Sequence, residues 1–454
     1  MTFAQRLLVL AILPVLALLS VQAWYPSALE SFGDALLPYG LEIPIFRGFL
    51  HDQPLLRSET PIVITAFPHF SHWEKIAKIA VALAEVGYPI TFITGRIFEE
   101  ETKQLHSNIV FQPIHGKADK LTEEDYKKWM SFEPGISEQR LFVEAHALVD
   151  GMPDQHSTLQ QVFRELREAH GDSKPLLSLF DLAVLGHLPL FLAFWDKAQG
   201  MGAVEMYDWH IYHTMEALPD HLMSLGVTKF EFPRKDLRSN VRYLGALPTI
   251  GSAQSSKRDL PDWWDDIEAA KADGKKIVAV SQGTVAMEFG DLLLSTLRAL
   301  EDLDHVLFIA TTVAVEVEDV PNLVVPRNAR VAKFVPYDLL LPKLDVLVNN
   351  GSYGAVITSL NAGVPMVLAG TGQDKNVTNS IVEWRELGIN LEKQNPIVAE
   401  IREAVTEVLQ NEKNKRNAMT MSKNFERYNA GQVVDGVIQD VVRRWQKEKR
   451  SRRI

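Results

Sequence analysis

The stretch from Val331 to Asn379, VAKFVPYDLLLPKLDVLVNNGSYGAVITSLNAGVPMVLAGTGQDKNVTN, leaves a folding chain few options. Val346, Leu347 and Val348 form a short apolar run inside a predicted strand, Asp345 to Asn349. Asn350, Gly351 and Ser352 supply a turn, and a helix is expected from Tyr353 to about Asn361. Gly363 ends that helix, and Val364 to Leu368 makes the next strand. Strand, small-residue turn, helix and strand make a βαβ unit, the building block of a parallel sheet. Such a turn puts backbone N–H groups and the positive end of a helix dipole at the sheet's carboxyl edge, an arrangement suited to a phosphate or diphosphate.

The same grammar runs through the rest of the chain. Pro61 to Phe67 (PIVITAF) reads as a buried strand, Trp73 to Val86 as a helix at 3.6-residue spacing, and Tyr88 to Thr94 as a second strand. Pro175 to Phe180 is another buried strand, with Asp181 at its carboxyl end, where ligands bind in open α/β sheets. Val241 to Leu244 closes this half, and Leu247 to Pro261 reads as a linker without periodicity. Strands at Lys276–Ser281 and Val306–Thr311 open a second α/β half, and helices at Ile397–Gln410, Asn414–Tyr428 and Val433–Lys449 end it. The expected division is 1–25 an apolar segment, 60–248 a first domain, 262–430 a second, and 431–454 a final helix and basic tail.

Four elements in order resemble the donor-binding signature of the UDP-glycosyltransferases, in particular the bacterial and fungal branch. They are Phe334-Val335-Pro336-Tyr337, Asn350-Gly351-Ser352-Tyr353, Gly363-Val364-Pro365-Met366 and Asp374-Lys375. The resemblance implies the GT-B fold: two doubly wound Rossmann-like domains with a cleft between them, the last helix crossing back to the first domain. It implies a general base at His72, in a Pro-x-x-x-His loop, with His69 as the nearby competitor, and a carboxylate partner at Asp181. On the donor side it implies Gly283 and Thr284 near the diphosphate, Phe334 and Val335 near the uracil, and Asn350, Gly351, Ser352, Tyr353 and Gly354 around the phosphates. Asp374 and Lys375 would meet the sugar hydroxyls. Histidine suits the base role because its pKa lies near working pH. Neutral donors at a helix start remove the need for a metal, and neither metal nor cofactor is expected beyond the UDP-sugar itself.

The chain departs from the pattern in places. Thr358 replaces a ribose-binding Glu, Ser352 a Gly and Ala355 a Ser. The run between Pro189 and Phe230 is short for the family's acceptor-binding region. The reading is an inverting UDP-sugar-dependent hexosyltransferase, glucose being the expected sugar, acting on a small lipophilic hydroxyl acceptor. Two rivals stand beside it: a nucleotide-sugar-binding protein with an impaired acceptor domain, and a nucleotide-sugar epimerase.

A net charge of −11 argues against a nucleic-acid partner, since phosphate contacts need clustered Lys and Arg. No cysteine is present, which excludes thiol nucleophiles, thiolate metal sites and disulfides. Leu7 to Val21 is uninterrupted by charge, after Arg6 and before Trp24-Tyr25. It is expected to be a single-pass membrane anchor, with a cleaved secretory signal ending near Ala23 as the alternative. The side of the membrane is left open: the charge rule sends the chain across, whereas glycosylation sequons at Asn350 and Asn376 would block a luminal donor site.

Overall fold

Strands that are apolar at every position need cover on both faces, and the chain meets that need with helices packed on two parallel sheets. In a computed structural model, the structure describes residues 55–119, 144–187, 219–247, 260–282, 292–312, 315–372 and 374–451, with scattered positions of 120–143. The expected anchor, 1–25, lies outside the described residues, and among those described no helix is long and apolar enough to cross a membrane. The chain divides into two compact units, Met1–Leu56 with Val442–Ile454, and Arg57–Val441. Both sheets and the candidate site belong to the second.

The first sheet contains β1 (Ile62–Thr65), β2 (Ile90–Thr94), β3 (Ile109–Pro113) and β4 (Leu177–Phe180), in the order β3-β2-β1-β4, all parallel. Helix α1 (Phe70–Glu85) joins β1 to β2, and α2 (Met152–His170) precedes β4. The interior of this half gathers Val63, Ile93, Ile114, Leu159 and Val162. A small parallel pair, β5 (Leu222–Ser224) and β6 (Val241–Tyr243), ends the half. Most of the expected linker, 248–259, and the acceptor-side run 188–218 lie outside the described residues.

The second sheet is built from β7 (Lys276–Ser281), β8 (Val306–Thr311), β9 (Ala329–Ala332), β10 (Val346–Asn349), β11 (Met366–Leu368) and β12 (Gly388–Asn390), in the order β12-β11-β10-β7-β8-β9. Its helices are α3 (Leu293–Leu300), α4 (Tyr353–Asn361), α5 (Lys375–Trp384), α6 (Val398–Gln410) and α7 (Glu412–Phe425). Alternation along the strands divides the interior in two. Ile277, Ala279 and Leu347 face one apolar layer with α4 and α7. Val278, Val280, Val346 and Val348 face the other, with α3 and α6. The period of two along each strand puts neighbours on opposite faces, so neither face tolerates polar substitution.

A last helix, α8 (Ala430–Ser451), returns to the first half. Asp435 accepts two bonds from the Arg57 guanidinium at 2.8 Å and one from Tyr88 Oη at 2.7 Å. Gln439 donates to the same phenol oxygen at 2.7 Å. The Arg57 hydrogen bonds outweigh burial and hold the Asp435 carboxyl below its usual range, while burial pushes the Tyr88 phenol up to about 12.

Candidate active site

Each sheet has one place where successive connections leave in opposite directions, and the chemistry-bearing residues collect there, as expected for open α/β sheets. In the first sheet that place is between β1 and β4. Thr65 pairs with Phe180, so the two strands end level, and Asp181 follows with its N–H donating to the Thr65 carbonyl. After β1 the chain turns through Phe67 to His69, whose extended backbone opens α1, and His72 falls in the first helical turn. His72 Nδ1 and Asp181 Oδ2 are 2.7 Å apart. The carboxylate also accepts from the N–H groups of Ala183 at 3.0 Å and Phe67 at 3.3 Å.

Burial opposes ionisation of Asp181, but the His72 hydrogen bond and charge and these two amides outweigh it and hold the carboxyl below its ordinary value. An ionised Asp181 assigns the proton of His72 to Nδ1, which donates to Oδ2. Nε2 then carries a lone pair and has no protein partner among the described residues. The His72 side chain is 42% exposed and that of Asp181 only 11%, so the orienting group is dry and the base is reachable. His69, the competitor, pairs with Ser71 Oγ at 3.0 Å rather than with a carboxylate. Burial first, then the neighbouring His72 and Lys75, push its pKa down. His187 stacks on Phe180 with ring centroids 4.2 Å apart, and burial lowers its pKa to about 3, so it is a neutral core residue behind the site.

In the second sheet the reversal falls between β7 and β10. Two asparagines join the strand ends. Asn349 Nδ2 donates to the Ser281 carbonyl at 2.6 Å, and Asn350 Nδ2 donates to the Gln282 carbonyl. Their side-chain oxygens accept in turn from the N–H groups of Gly351 at 2.9 Å and Ser352 at 3.2 Å. Asn350 Nδ2 and the N–H groups of Gly351 and Ser352, expected to face a diphosphate, are thus each engaged within the protein. Those groups satisfy buried main chain at the reversal, because a buried carbonyl or amide left unpaired is costly. Gly351 has φ +87°, and a Cβ there would lie 1.8 Å from Asn379 Oδ1, so no other residue fits. Asn350 is buried and its amide engaged, so its sequon is closed in the folded protein.

The donors that remain are one residue further on. Ser352 caps α4 by position only, since its hydroxyl makes no capping bond, and no acidic residue lies in the first turn. The first helical bond to Ser352 O comes from Val356 N, leaving the N–H groups of Tyr353, Gly354 and Ala355 without acceptors among the described residues. The α4 start therefore offers an anion main-chain donors that the protein itself does not use. Lys75 of α1 lies against it: a Cβ on Gly354 would stand 3.2 Å from Lys75 Nζ. His72 stands three residues earlier, on the same face of that helix as Lys75.

The other expected residues divide. Phe334 is 59% exposed, available as a platform, whereas Val335 is sealed in the apolar layer and offers a ligand only its main chain. Tyr353 has its phenol turned away from the turn, its one proton shared between Glu231 at 2.6 Å and the Leu225 carbonyl at 3.0 Å. Burial, and then Glu231, push its pKa well up. Gly226 packs on that phenol so closely that a Cβ would lie 2.5 Å from Oη. Asp374 is exposed and Lys375 half-buried beside Gly370, near the Asn350 main chain. Burial lowers the Lys375 pKa against the opposing pull of Asp374. Gly283 and Thr284 lie outside the described residues. Asn349 and Lys75 escape the sequence reading. The doubled asparagine at a strand end, and a lysine one turn past His72, are the signals that carry them.

A double Rossmann-like architecture with a His–Asp pair on one half and an uncapped helix start on the other has the form of a GT-B glycosyltransferase. Residues 294–437 match the family model described as "Erythromycin biosynthesis protein CIII-like, C-terminal domain". The chain is 32% identical to "UDP-glycosyltransferase 2" of Phaeomoniella chlamydospora, with 82% of this chain and 94% of that protein covered. It is 28% identical to "UDP-glucosyltransferase avaP" of Aspergillus versicolor, with 84% and 97% covered. The crystal structure of the kitacinnamycin glycotransferase superposes with a TM-score of 0.60 at 14% identity, over 85% of this chain and 98% of that one, a likeness of fold. The chain belongs to the UDP-glycosyltransferases, and is an enzyme that takes a nucleotide-sugar donor.

Proposed function

We propose that the enzyme moves glucose from UDP-glucose to a hydroxyl of a small lipophilic acceptor, inverting the anomeric carbon and using no metal. His72 Nε2 accepts the acceptor's proton as its oxygen attacks the anomeric carbon in line with the departing UDP. Asp181 holds the ring in the reactive tautomer and stabilises the imidazolium formed. Negative charge growing on the leaving diphosphate meets the N–H groups of Tyr353, Gly354 and Ala355 and the α4 dipole. Phe334 stacks on the uracil, and Asp374 and Lys375 approach the sugar. Glucose is favoured by relatives named as glucosyltransferases. A lipophilic acceptor is favoured by the apolar Leu7–Val21 segment, read as membrane attachment from its composition alone.

The observation that carries the mechanism is the 2.7 Å His72–Asp181 contact, with Nε2 unpartnered among the described residues. His72→Ala should abolish transfer to every acceptor while UDP still binds with its wild-type heat in calorimetry. Turnover at the wild-type rate would remove the base assignment. Titration with UDP, UDP-glucose and UDP-GlcNAc separates the sugar from the nucleotide contribution before any acceptor is known.

A further inference from the structure

We infer that Lys75, on the first half of the molecule, is a donor-binding residue whose ammonium clamps the diphosphate against the α4 start. The inference rests on the UDP-sugar reading of the site and adds to it a cation supplied by the first half of the molecule, besides the Lys375 of the donor-side motif.

Lys75 Nζ and Cε would lie 3.2 and 3.3 Å from a Cβ on Gly354, so the ammonium stands beside the second residue of α4. A cation at the positive end of a helix is repelled by the dipole, the reverse of where lysines stabilise helices. A carboxylate neighbour would explain such a placement, but Lys75 makes no ion pair among the described residues. Its sequence neighbour Glu74 is committed to Lys78 at 2.8 Å. The first turn of α4 contains no acidic residue either. Among the described residues, three unused N–H groups, the Ser352 hydroxyl and an unpaired ammonium therefore gather at one helix start with no carboxylate between them. A diphosphate supplies two or more charges and enough oxygens to meet both sides at once. Gly354 fits this reading, since a side chain there would press on the ammonium.

Placement on α1 gives Lys75 a second consequence. It lies one turn from His72, on the helix that presents the base, whereas the other diphosphate donors belong to α4. Donor phosphate then draws the two halves' reacting groups into register, and loss of the ammonium should lower kcat as well as donor affinity. Charge on the leaving UDP is greater in the transition state than in the ground state, so part of the contact is realised only there.

The test compares wild type, Lys75→Gln, Lys75→Arg and Gly354→Ala, with UDP and uridine titrated calorimetrically and transfer measured at saturating acceptor. Lys75→Gln should bind UDP roughly ten- to a hundredfold more weakly, the range for a charged hydrogen bond. Its uridine affinity should be unchanged, and its kcat should fall. Lys75→Arg should recover much of both, and Gly354→Ala, which keeps every charge but displaces the ammonium, should shift UDP and not uridine. Equal UDP affinity and kcat in Lys75→Gln and wild type overturns the inference and leaves the donor reading intact. Equal loss for uridine and UDP overturns it also, as a structural effect. A wild-type protein that binds no UDP refutes the donor reading itself, and this inference with it.

Discussion

Replacing Asp181 by asparagine should inactivate the enzyme through the tautomer of His72, and the structure says which way the amide turns. In the wild type Oδ2 accepts from His72 Nδ1 at 2.7 Å and from Phe67 N at 3.3 Å, while Oδ1 accepts from Ala183 N at 3.0 Å. An asparagine NH2 in the Oδ1 position would face the Ala183 amide and break the shorter of the two main-chain bonds. Placed at Oδ2 it sacrifices only the longer Phe67 bond and can donate to His72 Nδ1. The second orientation wins, and it forces the ring proton onto Nε2, where the base should be. The negative charge that stabilises the imidazolium is lost as well. The corresponding change in a serine-protease triad lowers kcat about 10⁴-fold by the same inversion. A fall of roughly 10³- to 10⁴-fold is expected here, with UDP affinity unchanged, together with about 1–3 kcal/mol of stability for an amide left facing a donor. Asp181→Ala leaves the tautomer free and should be no worse than Asn in kcat despite removing more atoms. The assay is UDP release with a competent acceptor between pH 6 and about 9, beside thermal unfolding. Transfer by Asp181→Asn within about tenfold of wild type would refute both the orienting role of Asp181 and the tautomer assigned to His72.

Phe334→Ala should weaken UDP binding about three- to tenfold, the value of one aromatic stack, without changing thermal stability, because the ring is exposed; calorimetry and a melting curve check the two halves of that statement. Acid should release the last helix: Asp435 is held below its usual carboxylate range by Arg57, so its contribution is complete above that range and lost as pH falls through the depressed value. Melting temperatures of wild type and Asp435→Asn should therefore differ at pH 7 and converge below about pH 4; a constant gap across that range would show that the Arg57 contact adds no pH-dependent stability.

Much of this architecture is legible in the chain, for a physical reason. Strands such as Lys276–Ser281 and Val306–Thr311 are apolar runs bounded by polar turns, and the observed strands coincide with the expected ones residue for residue. Short strands with mixed faces are not legible. Ala329–Ala332 carries Arg330 and half-exposed neighbours, and Gly388–Asn390 is three residues long, so neither offers a period to read. Helix Lys375–Trp384 is hidden because its sequence, KNVTNSIVEW, is polar except on one narrow stripe. At the site, His72 and Asp181 are legible individually from their places after strands. Their contact is not, since 109 residues separate them and only the register of β1 against β4 brings them level.

The asparagine pair shows how groups in a motif can be engaged within the protein itself. Reading Asn350-Gly351-Ser352 as phosphate donors assumes that polar groups in a turn are available. At the reversal between β7 and β10, however, two strand ends bury their last carbonyls side by side, and those carbonyls need donors whether or not a ligand is present. Asn349 and Asn350 each present a donor to a carbonyl and an acceptor to an amide, the combination the position demands. With these groups engaged, the donors still open to an anion are the α4 amides, and a charge would have to come from elsewhere. Lys75, whose ammonium stands beside Gly354, is placed to bring such a charge from the other half of the molecule.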